Sequence, residues 1–153
     1  MSNAPLDAIA LLKTANREIE TMLARLQTED LSGGEKELLV DEICQTLQVH
    51  AQVMEEVIYP AFRAAGVLAP ILDQAEIDQK FIRQIVDDLQ QTSHYDKQFE
   101  IQVAKLLVRV RRRILADETD MFPDAELAGV DRQTVGRQLE ARRSEMKGHA
   151  TPY

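Results

Sequence analysis

Residues 50–60, His50-Ala51-Gln52-Val53-Met54-Glu55-Glu56-Val57-Ile58-Tyr59-Pro60, are answered later in the chain by residues 113–123, Arg113-Ile114-Leu115-Ala116-Asp117-Glu118-Thr119-Asp120-Met121-Phe122-Pro123. In each stretch a polar residue is followed four places on by a second key position. Each then ends in an aromatic–proline pair. Both lie in apolar patterns of three- and four-residue step, which is the periodicity of a buried helical face. Working outward, the same face is interrupted by polar residues twice more, at Asn16 and Gln79. Positions 16 and 50 are 34 residues apart, as are 79 and 113; positions 16 and 79 are 63 apart, as are 50 and 113. The chain reads as one helical hairpin written twice.

The periodicity predicts four long amphipathic helices. The first spans about Pro5 to Gln27, with the stripe Ile9, Leu12, Ile19, Leu23, Leu26. The second spans Glu35 to Ala65, introduced by Ser32 and Glu35 as a capping box and closed by Gly66. The third spans Pro70 to Gln91 and the fourth Asp96 to Met121. No stretch alternates as a half-buried strand does. The expected fold is all-α, an antiparallel up-down four-helix bundle over residues 1–128. A short C-terminal helix, Asp131 to Met146, and a frayed tail complete the 129–153 segment. That helix is expected either to cap one end of the bundle or to mediate dimerisation.

Pairing of the two hairpins brings Asn16, His50, Gln79 and Arg113 to one level, with Asp117 one turn from Arg113. A polar layer inside an apolar core is costly. Each unpartnered buried polar group costs about 1–3 kcal/mol, and an unpaired charge costs more. One plain explanation is a hydrogen-bonded layer that fixes helix register. The matched spacing at all four sites points instead to a common centre.

The pattern resembles the hemerythrin-like HHE cation-binding family, and the likeness covers most of the chain. It is carried by Thr14-Ala15-Asn16-Arg17-Glu18-Ile19-Glu20, by His50 through Tyr59-Pro60, by Glu76-Ile77-Asp78-Gln79-Lys80, and by Arg113 through Phe122-Pro123. The resemblance implies a four-helix bundle built round a non-haem di-iron centre. It also implies His on the first helix, His-x-x-x-Glu on the second, His on the third, and His-x-x-x-Glu or Asp on the fourth. Here the first-helix His falls on Asn16, the second-helix Glu on Met54, the third-helix His on Gln79 and the fourth-helix His on Arg113. His50 and Asp117 alone keep metal-ligating residue types. Glu55 and Glu118, one step past the inward positions, are expected on a flank or in solvent, while Glu20 and Asp120 are the neighbours placed to lean inward.

The expected outcome is a metal-free core. Arg113 and Asp117 would form a charge-assisted pair, with Asn16, Gln79 and neutral His50 supplying the other donors and acceptors. A cationic guanidinium also repels an iron ion strongly in a low-dielectric site. The resulting reading is a structural or regulatory binding module with no cofactor, not an enzyme, with a protein partner or a second copy of itself as ligand. The alternative keeps a rearranged di-iron site that senses or stores O2, NO or peroxide, and only then is a small diatomic ligand expected. A third reading uses His50 and Met54, four residues apart, for Cu(I) or haem.

Composition narrows the rest. The 153 residues are 44% hydrophobic and 29% charged, and 26 acidic against 18 basic residues leave a net charge of −8. That charge argues against nucleic acid, which binds mainly through phosphate neutralisation. The basic run Arg109, Arg111, Arg112, Arg113 is expected to be salt-bridged by Asp117, Glu118 and Asp120. No apolar run is long enough to cross a membrane, and the absence of a secretory leader pattern makes a cytoplasmic location the expectation. Cys44, the sole cysteine, sits beside core position Ile43 and reads as an inert thiol. His94 and His149 read as surface histidines, and no phosphate loop or nucleophile elbow occurs.

Overall fold

Local capping chemistry starts each helix where side chains can satisfy its free N–H groups. Asp7 accepts from the Ile9 and Ala10 amides and opens α1, Ala8–Thr28. Ser32 and Glu35 form the reciprocal capping box that opens α2, residues 33–65. Leu68 precedes α3, Ala69–Gln91, whose Pro70 occupies the first turn, where a missing N–H costs nothing. Asp96 accepts from the Gln98 amide and opens α4, residues 97–128. A fifth helix, α5, Arg132–Ala150, follows. The computed structural model describes residues 6–150, with the side chains of 148–150 left out; the tail from 151 and His149's side chain lie outside the described part.

Two of these helices are locally widened. Within α2, Met54–Ile58 is a π-turn, and the Tyr59 N–H reaches back five residues to the Met54 carbonyl. Within α4, Asp117–Met121 repeats it, with Phe122 donating to Asp117. The cause is the next residue in each case. Pro60 and Pro123 lack an N–H, and the proline ring would strike the carbonyl four residues back in a regular helix. A wider turn relieves that clash and rotates everything beyond it by about 100°. Each helix then ends on a left-handed glycine, Gly66 with φ 99° and Gly129 with φ 75°. Val67 N–H bonds Phe62 O and Val130 N–H bonds Ala125 O, closing the ends alike. The fourth helix therefore runs seven residues beyond its expected end at Met121, to Ala128, because the stop signal is Gly129 rather than the aromatic–proline pair.

Short connections at 29–32, 66–68 and 92–96 make successive helices antiparallel. α3 and α4 pack most extensively, whereas α1 touches α4 less than it touches α2. The core is two apolar clusters rather than one. One holds Leu12, Val53, Met54, Phe62, Leu72 and Phe122, among others, and the other holds Ile19, Leu47, Ile82, Phe99 and Val110. The level between them is polar.

The C-terminal helix caps the first cluster. Val135 and Leu139 are buried in it, and Arg142 pairs with Glu56 at 2.9 Å. Gly136 lets α5 cross the start of α1 at backbone distance: a Cβ there would lie 3.1 Å from Leu6 O and Ala8 N. The helix extends to Ala150, past the expected end at Met146.

Candidate functional site, a polar layer across the bundle

Asn16, His50, Gln79, Arg113 and Asp117 line a single cavity of about 10 Å³. Ile19, Leu47, Ile82, Val110 and Ile114 complete its wall from the second apolar cluster. A cavity of this size is room for about one water molecule. Four helices thus deliver their stripe interruptions to one level, as the repeat spacing predicts. Met54 does not line the cavity. It is fully buried in the first apolar cluster, where it acts as packing.

Arg113 dominates the layer. Only 4% of its surface is exposed, yet its guanidinium is held on two sides. Nε donates to Asp117 Oδ1 at 2.9 Å, and Nη1 donates to Asp78 Oδ2 at 2.8 Å. Asp78 was not among the residues singled out from the sequence. It sits one place before Gln79, and in the antiparallel pair its helix runs beside Arg113. The sequence-based expectation has Asn16, Gln79 and His50 supplying the other donors and acceptors around the Arg113–Asp117 pair; the guanidinium's second partner is Asp78. Asn16 Nδ2 donates instead to Glu118 Oε2 at 3.3 Å, and Glu118 also binds Arg17 at 2.9 Å. The Tyr59 hydroxyl is buried beside Gln79 without meeting hydrogen-bond geometry.

The flanking carboxylates fall on the sides of the layer. Glu118 is part-buried at the α1–α4 seam, and Glu55 pairs with Arg83 of α3 at 3.2 Å. Glu20 lines a surface groove, and Asp120 is exposed, so neither enters the layer.

Burial sets the protonation of the layer. Desolvation pushes Asp117 up to about 7, opposed by Arg113 and assisted by the nearby charges of Asp78 and Glu118. Burial disfavours the charged carboxylate, and a single guanidinium shared between two carboxyl groups offsets that only in part. His50 is part-buried, and desolvation followed by the Arg143 charge pushes its imidazole down to about 4, so it is neutral near pH 7. Burial likewise raises the Tyr59 phenol.

Chemically, the layer is a closed ion triad beside a neutral imidazole and two amides. Among the described residues no three His, Cys, Asp or Glu side chains converge as a metal-binding group. Elsewhere, Cys44 is buried and its thiol is pushed up to about 12 by burial and then by Asp41. His94 is no free surface histidine: it contacts Glu37, lies tilted against Tyr95 with ring centroids 3.9 Å apart and sits at the edge of Phe99. None of the described helices is long and apolar enough to cross a membrane.

Comparison with known proteins agrees with this architecture. The family profile described as Hemerythrin HHE cation binding domain matches residues 7–125. A crystal structure of a hemerythrin HHE cation-binding domain-containing protein from Mycobacterium kansasii superposes with a TM-score of 0.78. The two chains are 19% identical, and the match covers 95% of this chain and 90% of the other. No curated protein matches the chain.

Proposed function

The chain belongs to the hemerythrin HHE cation-binding domain family, and from that premise we propose that Arg113 has taken the structural place of the family's di-iron centre. The protein then works as a metal-free structural or regulatory binding module, not as an enzyme or a carrier of O2, NO or peroxide. One observation carries the reading: a guanidinium buried to 4% exposure, bonded to Asp117 at 2.9 Å and Asp78 at 2.8 Å, inside the layer where four helices converge.

The donor set supports it. A di-iron site in a bundle draws imidazoles and carboxylates from all four helices. Here α1 and α3 offer amides at the matching positions, α2 offers His50 above an apolar Met54, and the carboxylates of Asp78 and Asp117 already serve Arg113. These residues do not fit a pair of iron ions. Supplying metal would require displacing a buried cation from two bonds, against direct charge repulsion. Size is conserved while ligation is lost, so the bundle keeps its packing.

Inductively coupled plasma mass spectrometry on protein purified from iron-supplemented cells tests this. The expected iron content is far below one atom per chain, and the expected near-UV spectrum lacks oxo-bridged ferric bands. Iron near two atoms per chain with such bands would establish the rearranged di-iron reading instead.

A further inference from the structure

Residues 101–116 of α4 hold Lys105, Arg109, Arg111, Arg112 and Arg113 and no acidic residue, in a chain of net charge −8. Arg113 turns inward. Lys105, Arg111 and Arg112 are exposed, and Arg109 lies over the Phe81 ring at 4.7 Å. Of the neutralisation expected from the following acids, only that of Arg113 by Asp117 occurs. Asp117 faces Arg113, Glu118 pairs with Arg17, and among the described residues Lys105, Arg109, Arg111 and Arg112 form no ion pair.

The same outward face carries Ile101, Val108 and Leu115, which are 47%, 54% and 64% exposed. Seven-residue spacing stacks them in one line along the helix, with Ala104 between the first two, as in the seam of a helix pair. Lys105 and Arg112 border that line on the α3 side and Arg111 on the α1 side. Beyond Arg111 an open groove of about 430 Å³ separates α4 from α1, lined by Arg17, Glu20, Thr21, Ala24 and Arg111.

We propose that this outer face of α4 docks an acidic amphipathic helix of a partner protein. An exposed apolar line with a basic rim fits the apolar stripe of a helix whose flanks carry carboxylates. A second copy fits poorly. Antiparallel pairing about Val108 would set Lys105 against Arg111 and Arg112 of the other chain, like charge on like charge. Nucleic acid fits poorly too, because the centre of the face is aliphatic and Arg109 already lies over the Phe81 ring. The face lies on the far side of α4 from the polar layer, so the inference stands whether or not the core binds metal.

The test is fluorescence anisotropy of the full chain with labelled three-heptad helical peptides. One peptide carries Leu at the seam positions with Glu flanks, and the other has the same seam with Lys flanks; duplex DNA is the third probe. The Glu peptide is expected to bind best, and each of V108D and R111E/R112E to weaken it about tenfold or more, as loss of several rim contacts together implies. K80E, on the far side of α3, leaves binding unchanged. R111A/R112A serves if the charge reversal disturbs the helical circular dichroism, and a loss of binding is again expected. Equal binding of both peptides, insensitivity to the α4 variants, tighter binding of DNA, or a dimer of the free chain dispersed by V108D would each overturn the proposal.

Discussion

The two hairpins share a backbone and differ in chemistry. Residues 54–66 and 117–129 each run through a π-turn, a proline, a single helical stretch and a left-handed glycine, in the same order and at a 63-residue offset. At the polar layer the equivalence ends. Ala15, His50 and Met54 of the first hairpin correspond, at that same offset, to Asp78, Arg113 and Asp117 of the second. The first set is neutral near pH 7, and the second holds a guanidinium between two carboxyl groups. Backbone shape is therefore dictated by proline and glycine placement. The content of the layer is a separate matter: among the described residues the buried charges, Arg113 and Asp117, both lie in the second hairpin.

The largest effect should come from opening the triad. Arg113→Ala leaves Asp117 lining a low-dielectric cavity, and Asp78 beside it, without their cation, with an expected loss of about 3–5 kcal/mol in urea unfolding. Replacing the pair together, R113L/D117L, removes the two buried charges and leaves Asp78, which is 20% exposed, to water. It is expected to recover most of that loss, because exchanging a buried pair for packed apolar groups is often near neutral. If R113A alone were harmless, the triad would not hold the layer.

The backbone half of the comparison predicts equal, smaller costs. Neither Gly66 nor Gly129 has an atom within 4 Å of a built Cβ, so space is not the obstacle. Gly66→Ala and Gly129→Ala should each cost about 1–2 kcal/mol, purely for the left-handed conformation. Costs that differed severalfold would mean that the two helix ends are not equivalent.

The smallest expected effect is on pH dependence, where the halves oppose each other. His50 is lowered from 6.5 to about 4, so its contribution is present above pH 6.5 and lost as pH falls towards 4. Asp117 is raised from 3.8 to about 7, so its contribution is present at low pH and lost as pH rises through 7. Between pH 4 and 7 the two partly cancel. Relative to the parent, Asp117→Asn should lose stability more steeply on acidification, and His50→Gln less steeply. Urea midpoints across that range decide the matter; slopes changing in the reverse sense would refute the assignment.

Much of this was legible in the sequence. Helical periodicity and the 34- and 63-residue offsets located the bundle and brought Asn16, His50, Gln79 and Arg113 to one level. Asp78 is not legible there, because it lies beside the stripe rather than on it, and only the α3–α4 packing shows which flank faces Arg113. The π-turns were missed although their signal was present: a proline in a continuing apolar period demands a displaced carbonyl. The run to Ala128 has a related signal, since Gly129 repeats Gly66 at the same offset and the aromatic–proline pair lies inside the helix rather than at its end. Whether the last helix caps the bundle turned on Gly136, whose role depends on how closely two backbones approach.

Anomalous diffraction at the iron edge, from crystals grown with excess Fe²⁺, tests the central claim most directly. The account predicts no peak between His50 and Asp117, and guanidinium density bridging Asp78 to Asp117. Strong peaks there, with Arg113 swung out of the layer, would contradict it.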